Sequence, residues 1–160
     1  MDQDVWSGLT AFESILFVQR YLETCYRHHG FDKTEVKSYR NSYRFLYYLQ
    51  HGKRHYELAR LAPVELQPLL LFYGMTQLTK ACLLTADPDY PKTTAVLAHG
   101  ASTRKKKKKD YTFFEDEVRI QKYGLVTHFS AKCFDIKQLE GKKFSMKDLV
   151  ERIPDFNQLF

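Results

Sequence analysis

The segment from Ser38 to Ala59 constrains the fold most, because its aromatic and apolar residues recur with helical spacing on two different faces. The first face carries Tyr39, Tyr43, Leu46, Tyr47 and Gln50, and the second carries Phe45, Tyr48 and Leu49. A helix with two such faces is expected to be buried on more than one side. Ser38 is predicted to cap this helix, and Gly52 to end or bend it. A short helix is then predicted over residues 53–61, ending before Pro63.

The same segment has the composition of a binding surface. Ordinary core helices are rich in leucine, isoleucine and alanine, whereas tyrosine and arginine dominate here. Those two residue types are enriched where proteins contact partners or hold anions. The candidate partner-binding residues are Tyr39, Tyr43, Tyr47, Tyr48, Arg54 and Tyr56.

Two further helices are predicted in the first half of the chain. Apolar residues recur at helical period over residues 11–29, with a capping-box spacing at Thr10 and Glu13 and a stop at Gly30. The stretch from Pro68 to Leu84 is apolar nearly all round, which predicts a central helix. Gly74 lies inside this helix and is expected at a close crossing with the helix over residues 11–29, which would compensate its low helix propensity.

The second half of the chain reads as less helical. A short turn is predicted over residues 93–97 and a loop over 101–110. Residues 117–121 and 125–129 are predicted to form an antiparallel β-hairpin, within about 115–136, because Val118 and Ile120 alternate with charged residues. A short strand is expected over 133–136, and a helix over 146–153 capped by Ser145. The predicted fold class is therefore mainly α, or α+β: a helical bundle with a small antiparallel hairpin.

Composition sets the broad class. The chain has 160 residues and a net charge of +6, which indicates one domain and an anionic partner. Its three cysteines are widely spaced and suggest a reduced, cytoplasmic compartment. No signal peptide or membrane contact is expected, because the longest apolar run, around Leu69–Tyr73, is short. The apolar end at Phe156–Phe160 suggests the N-terminal half of a longer protein.

Four long stretches resemble the bacterial YaaC-like family: SYRNSYRFLYYLQHG, QPLLLFYGMTQLTKACLLTADPDYP, TTAVLAHG before a basic run, and DEVRIQKYGLVTHFS. The resemblance covers about residues 6–156 and implies proteins roughly twice this length. It implies no assigned activity. The family's gene commonly lies beside that for IMP dehydrogenase, which implies a role near purine nucleotide metabolism and makes IMP dehydrogenase a candidate partner.

The stretch Pro68–Leu84 also resembles a helix of the HEPN superfamily of helical bundles. Catalytic HEPN proteins cleave RNA without a metal through an Arg-x4-6-His motif, and Arg44 and His51 have that spacing here. The resemblance implies that Arg44 would clamp the phosphate and His51 would act as acid–base. The family's usual polar residue after the arginine is replaced by Phe45, and we predict no ribonuclease activity on that ground.

A second candidate site is the basic segment that follows Gly100. His99, Gly100, Ser102 and Thr103 are small or polar residues that can present backbone N–H groups to a phosphate. The cations that follow are Arg104, Lys105, Lys106, Lys107, Lys108 and Lys109. The alternative is that this run forms only a solvated loop.

Other chemistry has little support in the sequence. The histidines His28, His29, His51 and His55 could suggest a metal site, but no carboxylate lies at ligand spacing beside His51 and His55, and no metal or cofactor is expected. Lys80, within an apolar helix, is either a buried functional group or a lysine whose head reaches water. The sequence favours a cytoplasmic, non-enzymatic interaction or regulatory module that binds a protein partner, a nucleotide, RNA or a second copy of itself. A metal-independent ribonuclease of HEPN type is the alternative.

Overall fold

The computed structural model describes residues 6–104 and 112–159. Contacts divide the chain into two compact units, Met1–Tyr90 and Pro91–Phe160. The sequence predicted one domain. The first unit is helical and the second contains a small sheet, so the predicted class, mainly helical with a little antiparallel sheet, is confirmed.

The first unit is built around one long helix. A 3-10 turn, Thr10–Glu13, precedes α1 (Ile15–His28), α2 (Thr34–Leu61) and α3 (Gln67–Ala86). The α2 helix packs against both α1 and α3. The buried apolar residues of this unit come from all three helices and the segment after them: Val18, Leu22, Tyr26, Phe45, Ala59, Ala81, Leu83, Leu84, Ala86 and Tyr90.

The start of α1 differs from the prediction, because the helix begins four residues after the expected first residue. Ser14 is extended and accepts a hydrogen bond from the backbone N–H of Phe17, so it serves as the N-cap. The predicted capping box at Thr10 and Glu13 is wrong, since both residues lie in the 3-10 turn. The predicted stop is confirmed: α1 ends at His28, and Gly30 has a positive φ of 71°.

The α2 helix is continuous, so the predictions of a cap at Ser38, of a helix end at Gly52 and of a separate helix over 53–61 are wrong. The helix begins at Thr34, after Lys33 in the left-handed conformation. Ser38 is buried one turn inside, where its hydroxyl donates to the carbonyl of Glu35. Gly52 is also buried within the helix, because the apposed α3 helix approaches too closely for a larger residue.

Gly52 and Gly74 mark the place where α2 and α3 approach most tightly. A Cβ added to Gly52 would lie 2.6 Å from Cδ2 of Leu78 and 3.4 Å from the carbonyl oxygen of Gly74. A Cβ on Gly74 would lie 2.9 Å from two ring carbons of Tyr56 and 3.2 Å from Cβ of His55. The predicted close approach at Gly74 is therefore confirmed, but its partner is wrong: α2 lies there, whereas the crossing was expected with the helix over residues 11–29.

We expect Gly74→Ala to destabilise the protein by about 1–2 kcal/mol, because the added methyl group overpacks the crossing. An alanine in an exposed helix would instead gain about 1 kcal/mol over glycine. Urea unfolding of the wild type and the variant measures the difference. Met75→Ala, at an exposed position of the same helix, is the matched control and should change stability little. A stabilised Gly74→Ala protein would contradict the tight crossing.

The bounds of α3 agree with the sequence, with Pro68 in the first turn and Asp87 just after the last. The expectation that α3 is a central helix holds only for its second half. Five large apolar residues of its first half are exposed: Leu69, Leu71, Phe72, Tyr73 and Met75. By length and composition the whole helix could also span a membrane, although core helices of soluble proteins meet the same criterion.

The second unit contains a three-stranded antiparallel sheet in the order β1-β2-β3, formed by Ala101–Arg104, Glu117–Ile120 and Lys143–Ser145. In register, Ser102 pairs with Arg119, and Val118 pairs with Phe144. Helices α4 (Leu125–Phe134) and α5 (Met146–Val150) flank the third strand along the chain. Three 3-10 turns complete the unit: Thr94–Leu97, Phe113–Glu115 and Pro154–Leu159.

Several predictions for this unit are wrong. Residues 101–104 form β1 where a loop was expected, and the rest of the basic run lies outside the described residues. Only the first strand of the predicted hairpin exists, as β2. Its expected partner, 125–129, is the start of α4, and the expected strand 133–136 contains the end of that helix.

The physical reason is a close contact between two glycine backbones. Gly124 and Gly100 both have positive φ, and a Cβ on Gly124 would lie 2.3 Å from Cα of Gly100. The N–H groups of Leu125 and Val126 donate to the carbonyls of Ala98 and His99. These bonds hold the first turn of α4 against the segment before β1, so a hairpin cannot form.

The predicted start of the last helix is confirmed. Ser145 accepts a hydrogen bond from the N–H of Asp148, and the Asp148 carboxylate accepts one from the N–H of Ser145, which completes a capping box. The helix ends at Val150, three residues earlier than predicted.

Candidate functional site

The tyrosines of α2 divide into an outward and an inward group. Tyr39, Tyr43 and Tyr47 are 67%, 67% and 51% exposed, and Arg54 is exposed near them on the same face. Tyr48 and Tyr56 are half-buried on the opposite side. The structure therefore brings together four of the six predicted partner-binding residues and separates the other two from them.

Tyr48 and Tyr56 contribute to packing within the unit. The Lys80 ammonium lies 5.7 Å from the centre of the Tyr48 ring, a cation–π distance. Burial lowers the pKa of Lys80. The Tyr56 ring lies 5.8 Å from the ring of Trp6 and covers Gly74. Lys80 thus has an aromatic neighbour inside the helical unit.

The buried side of α2 holds a polar network that fixes the segment after α3. Asn41 is fully buried, and its amide group donates to the Tyr26 hydroxyl at 3.0 Å and to the Pro88 carbonyl at 2.7 Å. Arg40 donates to the same carbonyl at 3.0 Å and forms an ion pair with Asp89. Burial raises the pKa of Tyr26 to about 12.

Arg44, one of the two predicted catalytic residues, belongs to this network. Its guanidinium donates to the Tyr90 carbonyl at 2.8 Å and to Oδ1 of Asn41 at 3.4 Å. His51 lies two turns further along α2, roughly 10 Å along the helix axis. Its ring is 4.0 Å from the ring of Tyr47. The contacts of Arg44 are those of a residue that holds a backbone segment in place.

The histidines of α2 continue an aromatic row along the helix. The His55 ring lies 6.2 Å from those of His51 and Tyr73, and its Nδ1 is 2.7 Å from the His51 carbonyl oxygen. His28 and His29 lie at the end of α1, in contact with each other. Within the described residues no group of three metal-binding side chains occurs.

A cleft in the first unit has a volume of about 840 Å³. Its aromatic wall is formed by Trp6 and Tyr56, and charged side chains reach it from one side of α2. The charged residues of the lining are Lys53, Glu57 and Arg60. Nothing in the sequence analysis pointed to this cleft, because its walls come from the N-terminal segment, α2 and α3 together.

The predicted anion-binding segment is only partly described. His99 is exposed and Gly100 is buried, and both carbonyls accept backbone hydrogen bonds, from Val126 and Gln121. The Ser102 hydroxyl accepts a hydrogen bond from the amide group of Gln121 at 2.6 Å, and Thr103 pairs with Val118 in the sheet. Gly100 packs against the backbone of Gly124. Residues 105–109 lie outside the described part of the chain.

A family model described as YaaC-like Protein matches residues 10–160. The chain belongs to the YaaC-like family. No curated protein and no solved structure matches it significantly. Its likeness to HEPN bundles and its place as the N-terminal half of a longer protein stay predictions.

The Asn41 network escaped the sequence analysis, although one signal for it was present. Asparagine is a poor helix former, and Asn41 falls among apolar and aromatic residues within a helical pattern. A buried amide needs hydrogen-bond partners, which here come from α1 and from the segment 87–90. Those partners are distant in sequence, so the residue alone could not identify them.

Proposed function

We propose that this YaaC-like protein is a non-enzymatic interaction module that binds a protein partner through the exposed face of α2. The observation that carries the proposal is the exposure of Tyr39, Tyr43 and Tyr47 on one helix face beside Arg54. Rigid tyrosine rings give large contact area at low entropic cost, and arginine adds cation–π contacts and hydrogen bonds.

The aromatic content of this face also supports a protein partner. Large exposed rings that lie in a row are unfavourable in water unless a second surface covers them.

A regulatory role near purine nucleotide metabolism, with IMP dehydrogenase as the first partner to test, is the specific form of the proposal. It rests on the genomic neighbourhood that the family resemblance implies, and the protein would act in the cytoplasm.

A photo-crosslinking amino acid at position 43, introduced in cells, tests the proposal. We expect covalent adducts at position 43 that are absent when the same group replaces Tyr123, which is 60% exposed in the second unit. Mass spectrometry then identifies the adduct as IMP dehydrogenase, another protein or a second copy of this chain. Equal adduct yields at positions 43 and 123 would contradict a specific interaction face on α2.

A nucleotide is a second candidate ligand, favoured by the cleft beside Trp6 and Tyr56. A volume of about 840 Å³ accommodates a mononucleotide. The aromatic wall suits a base, and Lys53 and Arg60 suit a phosphate. Isothermal titration with purine mononucleotides tests this candidate, with Tyr56→Ala as the variant and Tyr123→Ala as the control. If the wild type and Tyr56→Ala release the same binding heat, the nucleotide does not bind in this cleft.

A HEPN-type ribonuclease is the alternative function, and we expect the protein to have no such activity. The Arg44 guanidinium holds the Tyr90 carbonyl, and Phe45 occupies the position of the motif's polar residue. Purified protein incubated with labelled RNA in excess chelator should therefore leave the RNA intact. RNA cleavage that is lost in His51→Ala, with the fold retained by circular dichroism, would overturn this expectation and restore the ribonuclease.

A further inference from the structure

The exposed face of α2 carries a straight row of residues along almost the whole helix. The row, called the α2 stripe below, consists of Val36, Tyr39, Tyr43, Tyr47, Gln50, Arg54, Leu58 and Leu61. All eight are exposed, the apolar members by between 49% and 86%. Their average spacing is about 3.6 residues, the period of the α-helix, so the stripe runs parallel to the helix axis for roughly 38 Å.

The separations between successive residues of the α2 stripe follow the same order when they are read from either end of the helix. Successive members are separated by 3, 4, 4, 3, 4, 4 and 3 residues. A second copy of α2 laid antiparallel on the stripe would therefore match it position by position. The pairs that result are Val36 with Leu61, Tyr39 with Leu58, Tyr43 with Arg54, and Tyr47 with Gln50.

The chemistry of these pairs is complementary throughout. At both ends of the stripe an apolar residue meets an apolar residue, which removes both from water. Near the centre, the Arg54 guanidinium meets the ring of Tyr43, a favourable cation–π pair, and the Gln50 amide meets the Tyr47 hydroxyl. The two Arg54 side chains lie roughly 16 Å apart along the axis, so they do not repel each other strongly.

We infer that α2 is the interface of a two-fold symmetric homodimer, with the two α2 helices antiparallel. This inference rests on the proposed function, because it takes the tyrosine face as the interaction surface and names its partner as a second copy. A two-fold axis requires one patch to be complementary to itself. The symmetric spacing and the complementary pairs of the stripe meet that requirement, whereas an unrelated partner would not require them.

The size of the stripe is adequate for a stable dimer. At the observed exposures, each of the three tyrosines offers roughly 100–150 Å² of surface. Together with Val36, Leu58 and Leu61, the stripe approaches the roughly 800 Å² per partner that stable interfaces bury. Tyrosine and arginine near its centre are the residue types that carry most binding energy in such interfaces.

Disulfide cross-linking between single-cysteine variants tests the antiparallel arrangement. Val36→Cys and Leu61→Cys are made in a background where the three native cysteines, Cys25, Cys82 and Cys133, are replaced by alanine. Oxidation of an equimolar mixture should give a heterodimer of the two variants, because residues 36 and 61 face each other. Each variant alone should give little cross-linked product, since like positions lie roughly 38 Å apart. Efficient cross-linking of Val36→Cys alone would overturn the antiparallel pairing.

Sedimentation equilibrium tests the dimer itself. The wild type should dimerise reversibly, and Tyr43→Arg should raise the dimer dissociation constant at least about tenfold, because it places an arginine opposite Arg54. Adding Arg54→Glu to Tyr43→Arg should recover most of that loss through two symmetric ion pairs. Tyr123→Arg is the matched control for added charge. A monomeric wild type at every concentration would overturn the dimer.

A monomeric wild type would not by itself contradict the proposed function, which the photo-crosslinking experiment tests separately. If the wild type is monomeric but position 43 still forms adducts with another protein in cells, α2 is an interaction face for a different partner. If position 43 forms no specific adduct at all, both the dimer and the proposed function fail.

Discussion

Asn41→Leu is expected to destabilise the protein by about 3 kcal/mol, although leucine has a similar shape and a higher helix propensity. Asn41 is fully buried, and its amide group bonds the Tyr26 hydroxyl and the Pro88 carbonyl. Leucine would leave the buried hydroxyl of Tyr26 without this partner, and an unsatisfied buried polar group costs about 1–3 kcal/mol. Urea unfolding followed by circular dichroism measures the loss.

A double-mutant cycle separates the hydrogen bond from the change in packing. Tyr26→Phe alone should cost about 1 kcal/mol, because Asn41 keeps its bond to Pro88. In Asn41→Leu/Tyr26→Phe the buried hydroxyl is gone, so the double variant should cost less than the two single costs combined, by at least about 1 kcal/mol. Gln50→Leu, on the exposed face of the same helix, is the control. Strictly additive costs would show that the Asn41–Tyr26 bond contributes nothing to stability.

The second large effect is a loss of stability at alkaline pH. Tyr26 and Tyr90 are fully buried, and burial raises the pKa of each to about 12. In the unfolded chain a tyrosine has a pKa of about 10. Between these values the unfolded state loses protons that the folded state retains, so the free energy of unfolding falls as the pH rises. Below pH 10 this contribution is constant and fully present.

The expected loss is about 1.4 kcal/mol per pH unit for each buried tyrosine in this range. Comparing urea unfolding at pH 9 and pH 11 should therefore show the wild type weakened by about 2–3 kcal/mol from these two groups. Tyr26→Phe should lose less stability over the same pH interval. Tyr43→Phe, at an exposed position, should behave as the wild type does. If the free energy of unfolding falls equally with pH in all three proteins, the pKa of Tyr26 is not higher in the folded state than in the unfolded chain.

The helices were predictable from the sequence where local signals mark their ends. Pro68 and Asp87 bracket α3, and Ser145 caps α5, so these bounds needed no knowledge of the rest of the chain. Gly52 was misinterpreted because a glycine disfavours a helix locally, while the crossing with Gly74 favours it there. That crossing is a tertiary contact between residues far apart in sequence.

The sheet was less predictable, because β2 pairs with strands that are distant in sequence on both sides. Residues 125–129 form a short apolar run, and such a run does not distinguish a strand from a buried helix by its period. The contact between Gly100 and Gly124 decides for the helix. A loop prediction for 101–104 likewise followed from composition, whereas pairing with β2 makes the segment a strand.

The candidate surface was predictable in composition but not in direction. Tyrosine and arginine marked Ser38–Ala59 as unusual, yet the helical period alone placed aromatic residues on two faces. The packing of α1 and α3 determines that Tyr43 and Tyr47 face water while Tyr48 faces Lys80. The same packing assigns Arg44 to the segment 87–90, which spacing to His51 could not reveal.

Residues 87–90, at the end of the first unit, are held by α2 through hydrogen bonds to their main chain. Arg40, Asn41 and Arg44 bond the carbonyl oxygens of Pro88 and Tyr90, and every amino acid carries such an oxygen. The path of this loop is thus encoded in part in the helix it rests on, in addition to the buried Tyr90 ring and the ion pair of Asp89. Substitutions at the three helical positions would therefore release the main chain of this loop even if the loop's own sequence were unchanged.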